Sequence, residues 1–407
     1  MRIGIDCRTI LNPDAGERAG VGHYTYHLVR HLIEHDQQNE YVLFFDYRMA
    51  REGTQEFTQP NVKIKFFPFS SYGKFLPFAY SHMLVSAALL KERLNVFHAP
   101  ANVFPLVYPK KTIITVHDLA IFKHPEWFPS QIFSTRLLVP RSLKRARHII
   151  AVSQSTKCDL QDIFSVPSRK ITVIPEAVDT KSLPLIDQDD DVRSVYKLPA
   201  KFLLFIGTIE PRKNLLVLFE AWHRLQQMRP EAVKGANLVI AGSLGHRGKD
   251  IIATIKQRRL NKSIRFLGYV SHNHKIRLIK AAQGFVFPSL YEGFGLPVLE
   301  ALQLGTPVIT SNTSSLPEVA GSAAILIDPT DVDALAMGMR DLLTKPVITK
   351  ALIKAGKQQA QKFSWANAAA ETLKVYEQIM RPNGKLKGNK RPNKNSAKPS
   401  TKKKRRK

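Results

Sequence analysis

The chain reads as two consecutive series of short, almost wholly apolar runs separated by segments with helical spacing. Residues 2–6, 41–45, 62–67, 96–98, 112–116, 148–152 and 171–174 make the first series, and residues 202–206, 238–241, 264–267, 285–287, 308–310 and 324–327 the second. Runs this short, without polar alternation, are strands covered on both faces, as in parallel sheets. Parallel strands need long crossovers, and helical segments such as 24–34 and 131–145 fit between them. The pattern predicts two doubly wound α/β domains facing each other across a cleft. Their expected spans are 1–180 and 201–363. The polar stretch 181–200, with four aspartates between Asp187 and Asp191, reads as the linker. A last helical segment, 364–380, precedes a basic tail at 381–407.

Charge narrows the partners. The chain holds 61 Lys and Arg against 33 Asp and Glu, a formal net charge of +28. Thirteen of those cations lie in 381–407, which has no acid and ends KKKRRK, so residues 1–380 keep +15. The tail has too little apolar content to offset the entropy of ordering, which predicts disorder. Three roles stay open for it: a solvated solubilising tail, a contact with anionic lipid headgroups, or a nucleic-acid arm. The last is weakened by the absence of any aromatic residue to stack on bases. Two cysteines, Cys7 and Cys158, exclude a disulfide framework and a four-cysteine zinc site. No charged n-region followed by an apolar h-region opens the chain, and no window approaches the roughly 20 apolar residues of a spanning helix. The expectation is a cytoplasmic protein in a reducing compartment, soluble or peripheral on the inner face of the cytoplasmic membrane.

Four motifs can carry chemistry. Gly20 and Gly22, in AGVGHY, follow the first strand and precede a helix. They let the backbone approach a ligand at a helix N-terminus, or they serve a tight turn that only needs positive φ. His117 and Asp118 end the strand 112–116, at the carboxyl edge where open α/β sheets bind ligands. A histidine there can exchange a proton near neutral pH or can simply be a satisfied cap. His98 is placed similarly, and for it the structural reading is preferred. Arg212 and Lys213, in GTIEPRKN, follow the first strand of the second series. Cations at a helix start oppose the helix dipole, so a diphosphate chelated by the arginine fork and the compact lysine charge explains them better than solvation does.

The fourth motif, PSLYEGFGLPVLEA, spans 288–301 and is the most specific. A strand ends, a glycine-rich loop follows, and Pro297 fits the first helical position. The amides of Gly295, Leu296 and Val298 would then face an anion. Glu292 and Glu300 beside such a site point to a ligand that also carries hydroxyls, because carboxylates accept hydrogen bonds from sugars. A ligand with sugars flanking a diphosphate is a nucleotide sugar.

With these residues in view, the chain resembles the retaining glycosyltransferases of family four, which have the GT-B fold of two Rossmann-like domains. The Glu-x7-Glu signature is met by Glu292 and Glu300, and the resemblance runs through VHDLAIFKHPEWFP, GTIEPRKNL and PSLYEGFGLPVLEALQLGTPVITSNTSSLPEVAG over roughly residues 1–380. Within the family it looks closest to bacterial mannosyltransferases of surface-polysaccharide assembly, lipopolysaccharide included. The resemblance implies an acceptor-side N-terminal domain and a donor-binding C-terminal domain, with the last helix crossing back. It implies Glu292 on the donor sugar, Glu300 on the ribose, and backbone of Phe294, Gly295 and Leu296 on sugar and phosphate. Arg212 and Lys213 would hold the diphosphate, His117 would sit by the anomeric carbon, and Gly20 and Gly22 would approach phosphate or acceptor. One departure is Thr208, where many members carry arginine after the glycine matching Gly207.

The expected partners are a nucleotide-sugar donor, GDP-mannose first, and a glycan or lipid-linked acceptor. No cofactor and no catalytic metal are expected. Asp331 and Asp333 look like a metal-binding pair but are explained by helix capping, and fixed cations would neutralise the leaving diphosphate. Two rivals remain: a GT-B enzyme of another reaction type, such as an epimerase or phosphorylase, and a nucleic-acid-binding protein driven by its tail.

Overall fold

The computed structural model describes residues 1–10, 20–47, 49, 51–67, 78–129, 132–178 and 191–381. The segment 181–190 of the expected linker and the tail 382–407 lie outside the described residues.

All thirteen expected strands form. In the first sheet they are β1 (Arg2–Asp6), β2 (Glu40–Asp46), β3 (Val62–Phe67), β4 (Val96–Ala99), β5 (Thr112–Val116), β6 (His148–Ala151) and β7 (Ile171–Val173). In the second they are β8 (Lys201–Ile206), β9 (Ala236–Ala241), β10 (Ile264–Gly268), β11 (Gly284–Phe287), β12 (Val308–Ser311) and β13 (Ala324–Ile327). The first sheet has the order β3-β2-β1-β4-β5-β6-β7 and the second β10-β9-β8-β11-β12-β13. Pairing is parallel throughout, with Ile3 opposite Tyr41 and Val96, and Phe285 opposite Leu204 and Val308. Strand order reverses between β1 and β4 in one sheet and between β8 and β11 in the other. A crevice opens at such a switch point, outside the carboxyl ends of the strands.

Strands such as β4, β5, β6, β11 and β12 are buried along their whole length. Helices cover both faces, which is why the runs lack polar alternation. In the second domain Trp222, Phe202 and Phe205 are fully buried in the core.

The expected helix 24–34 is longer at its start, running Val21–His35, because Gly20 takes φ +59° and turns the chain into it. The last helix, Trp365–Met380, packs on the N-terminal domain. Trp365 stacks on His27 with ring centroids 5.5 Å apart. Tyr376 places its hydroxyl 2.7 Å from His98 Nδ1, and His98 Nε2 lies 2.9 Å from Thr115 Oγ1. With both ring nitrogens engaged and burial the main cause, the His98 pKa is pushed down to about 3. His98 is a neutral core residue.

Asp331 accepts a 2.9 Å hydrogen bond from the Ala334 amide and caps the helix Val332–Thr344, while Asp333 sits in its first turn and pairs with Arg224 at 2.7 Å. In the described part of the linker, Asp191 caps a short helix, Val192–Val195. Among the described residues no helix is long and apolar enough to cross a membrane.

Candidate active site

The two loops of the second switch point, after β8 and after β11, bring their charged residues together. The first makes a tight turn at Pro211–Lys213, ended by Asn214 in the left-handed region at φ 59°. Asparagine tolerates that conformation, and its side-chain amide is fixed to the Pro329 carbonyl at 2.7 Å. Arg212 Nη1 lies 2.7 Å from Glu292 Oε2 and Lys213 Nζ 2.6 Å from Glu292 Oε1. Arg212 also grips Glu210 at 2.8 Å and the Tyr291 carbonyl at 3.1 Å. Lys213 and Glu292 are both buried at 7% exposure. Burial alone would raise the Glu292 pKa, but the charges of Arg212 and Lys213 overcome it and pull the carboxyl down to about 2. The cations are therefore built into a buried ion triad, and the expected solvated alternative does not hold for them.

The second loop is pinned from below. The Glu292 amide donates to Ser314 Oγ at 3.0 Å, and the Ser315 hydroxyl donates to the carbonyls of Glu292 and Phe294 at 2.9 and 2.7 Å. Gly295, at φ 112°, caps the helix Leu296–Leu304. Two sequence expectations shift here. Leu296 is the first helical residue, so Pro297 stands second, and the Val298 amide already donates to the Gly295 carbonyl at 3.0 Å. The tighter first turn consumes that amide, leaving the amides of Gly295 and Leu296 as the candidate anion donors. Glu300, in the same helix, stands apart from the triad and pairs with Lys275 at 2.5 Å.

The N-terminal domain contributes the end of β5. His117 directs Nδ1 to Glu176 Oε1 at 2.9 Å and Nε2 to the Pro100 carbonyl at 3.0 Å. A ring facing two acceptors needs a proton on both nitrogens. Burial would lower its pKa, but the hydrogen bond and charge of Glu176 more than offset that and raise it above the ordinary 6.5. Of the two readings open for His117, a proton exchanger or a satisfied cap, the geometry is that of a ring tethered at both nitrogens. Tyr24, in the helix that Gly20 caps and in which Gly22 stands second, lies edge-on to the ring with centroids 4.7 Å apart.

Several contacts close the cleft. A Cβ added to Gly293 would stand 1.9 Å from the His117 carbonyl oxygen. The Tyr291 hydroxyl donates to Asp159 at 2.6 Å and accepts from the Leu119 amide at 3.3 Å. Asp159 also pairs with Lys123 at 2.5 Å. Glu318 reaches across to accept the amides of Gln154 and Ser155 at 2.7 and 2.6 Å. These are first-turn N–H groups of the helix Gln154–Phe164, which have no partner inside the helix. The sequence reading missed Glu176, Asp159, Lys275 and Glu318. Among the described residues, no group of three or more His, Cys, Asp or Glu side chains could hold a metal ion.

Comparison with known proteins agrees with this architecture. Residues 188–359 match the family model of glycosyl transferases group 1, and residues 18–182 match that of glycosyltransferase family 4. The O-antigen chain mannosyltransferase B of Escherichia coli is 30% identical over 374 residues, covering 88% of this chain and 96% of that one. The solved sucrose-phosphate synthase of Thermosynechococcus elongatus superposes with a TM-score of 0.72 at 21% identity, over 93% of this chain and 98% of that chain. HepE of Anabaena, solved in complex with UDP and glucose, superposes with a TM-score of 0.70 at 17% identity, over 93% and 99%. The chain belongs to the group 1, family 4 glycosyltransferases, and its fold is GT-B.

Proposed function

We propose that the enzyme moves a hexose, mannose first among candidates, from a nucleotide-diphosphate sugar to a glycan or lipid-linked acceptor in surface-polysaccharide synthesis. It does so with retained anomeric configuration, without a catalytic metal, on the inner face of the cytoplasmic membrane. The Arg212–Glu292–Lys213 triad carries the reading. It sets two cations and a hydroxyl-accepting carboxylate at one switch point, against the end of β5. The named function of the mannosyltransferase relative supports mannose and O-antigen synthesis. The UDP and glucose held by the HepE structure support a nucleotide-sugar donor.

In the reaction the anomeric C–O bond breaks and its electron pair leaves with the diphosphate. The acceptor hydroxyl oxygen forms the new bond to the anomeric carbon and passes its proton to the departing diphosphate oxygen. Arg212, Lys213 and the amides of Gly295 and Leu296 neutralise the leaving diphosphate. Glu292 accepts hydrogen bonds from the sugar hydroxyls and Glu300 from the ribose. His117, held by Glu176 and the Pro100 carbonyl, borders the place where the donor sugar would lie.

A panel of nucleotide sugars tests this reading. The true donor raises the melting temperature by mass action, and transfer to a mannan-type acceptor proceeds in excess EDTA. No shift with any nucleotide sugar would overturn the transferase reading, and abolition by EDTA with rescue by Mg²⁺ would overturn metal independence.

A further inference from the structure

Seven cations without a carboxylate partner among the described residues gather far from the candidate active site, at the opposite edge of the first sheet. A cavity of about 580 Å³ opens where β5, β6 and β7 begin, whereas the active-site loops lie where strands end. Lys110 and Lys111 line it from the segment leading into β5. Lys144 and Arg145 end the helix Ile132–Arg145, Arg147 lies in the turn between it and β6, and Arg169 and Lys170 come from the turn before β7. The lining contains no acid.

Part of this charge serves the fold. Lys170 Nζ bonds the Leu143 and Lys144 carbonyls at 2.7 and 3.0 Å, and Lys111 Nζ bonds the Ile379 carbonyl at 2.9 Å. These are last-turn carbonyls, which favour cations. Lys110, Lys144, Arg147 and Arg169 have no such partner among the described residues, and none of the seven cations pairs with a carboxylate there. The local field is positive: burial, then the charges of Lys170 and Arg147, push the His148 pKa down to about 4. Like charges gathered round one depression repel unless an anion answers them.

We propose that this cavity seats the phosphates of anionic membrane lipids and anchors the N-terminal domain to the membrane. It names the contact site for the membrane-surface part of the reading above and does not depend on donor or acceptor. Three observations favour a lipid surface. The cavity has the size of a small-molecule site, and apart from His148 it offers no ring to stack on a base, which disfavours nucleic acid. Val107, just before the lining segment, is 53% exposed, and Leu137 in the adjoining helix is 44% exposed, an apolar supplement to a basic surface. Ile379 lines the cavity, and the thirteen-cation tail begins two residues later at Arg381.

The test is co-sedimentation of the full chain with vesicles of phosphatidylglycerol and phosphatidylcholine, against phosphatidylcholine alone. The variant Lys144→Gln/Arg147→Gln/Arg169→Gln is compared with a control of equal charge loss on the other domain, Lys249→Gln/Lys256→Gln/Lys262→Gln. The cavity triple should lose on the order of 100-fold in partitioning onto anionic vesicles, the control about tenfold less, and both should transfer sugar to a soluble acceptor at the wild-type rate. Equal losses in the two triples would overturn the site and leave diffuse surface charge. Absent vesicle binding would overturn it too, as would a melting shift with pyrophosphate alone that the cavity triple abolishes without changing vesicle binding. Retained transfer in those outcomes leaves the glycosyltransferase reading standing.

Discussion

Gly293 stands so close to the backbone of His117 that a single added carbon would lie 1.9 Å from its carbonyl oxygen. The loop carrying Glu292 therefore meets the N-terminal domain in a contact only glycine permits. Gly293→Ala should force the two surfaces apart, at a cost of about 1–3 kcal/mol for overpacking. Turnover is expected to fall tenfold or more, with a larger radius of gyration by small-angle scattering. An unchanged radius and rate would show that the loop adapts without opening the cleft.

Glu292 is bound to two buried cations, so its substitution acts twice. Glu292→Gln should lower turnover on the order of 10²-fold or more while the protein stays folded. Glu292→Ala, which strands both cations, should also destabilise by about 3–5 kcal/mol. Because its pKa is depressed to about 2, this carboxylate's stabilisation is present above its unfolded value near 4.5 and is lost as pH falls toward 2. Acid unfolding of wild type and Glu292→Gln should thus converge below pH 4.5, and parallel curves would refute the triad.

His117 gives the opposite sign. Its pKa is raised above 6.5 by Glu176, so the stabilisation is full below about pH 6.5 and is lost as pH rises through the folded value. The melting-temperature advantage of wild type over Glu176→Gln should shrink as pH rises above about 6.5. A difference that does not change with pH would show that Glu176 does not raise the His117 pKa.

Glu318 accepts the first amides of a helix in the other domain. Glu318→Ala removes a cap worth about 1 kcal/mol along with an interdomain tie. Hydrogen exchange at Gln154 and Ser155 should quicken about fivefold, while amides in β5 and β6 stay protected. Unaltered exchange at those two positions would show that the contact is not maintained in solution.

The fold was legible because its strands are buried on both faces, and apolar runs such as 112–116 and 308–310 have no other economical use. Arg212, Lys213 and Glu292 could be grouped because each follows a strand end at one switch point. The contacts that shape the cleft could not. Tyr291 and Asp159 are 132 residues apart and Glu318 and Gln154 are 164 apart. Nothing in the local pattern around Asp159 or Glu318 records a partner in the other domain. The same distance hid the tether of His117, since Glu176 lies 59 residues away beyond β7. Pro297 was misplaced by one position because Gly295, rather than Leu296, takes the left-handed turn.

The last helix begins after the second domain is complete, yet Trp365, Tyr376 and Ile379 all rest on the first. The polypeptide thus passes between the halves twice, so the two halves are joined at two points, like a door on two pins. The root of the tail and the basic cavity both belong to the leaf that carries β5. If that leaf is moored, the other swings, and donor loading becomes a motion of the C-terminal half against a stationary acceptor platform.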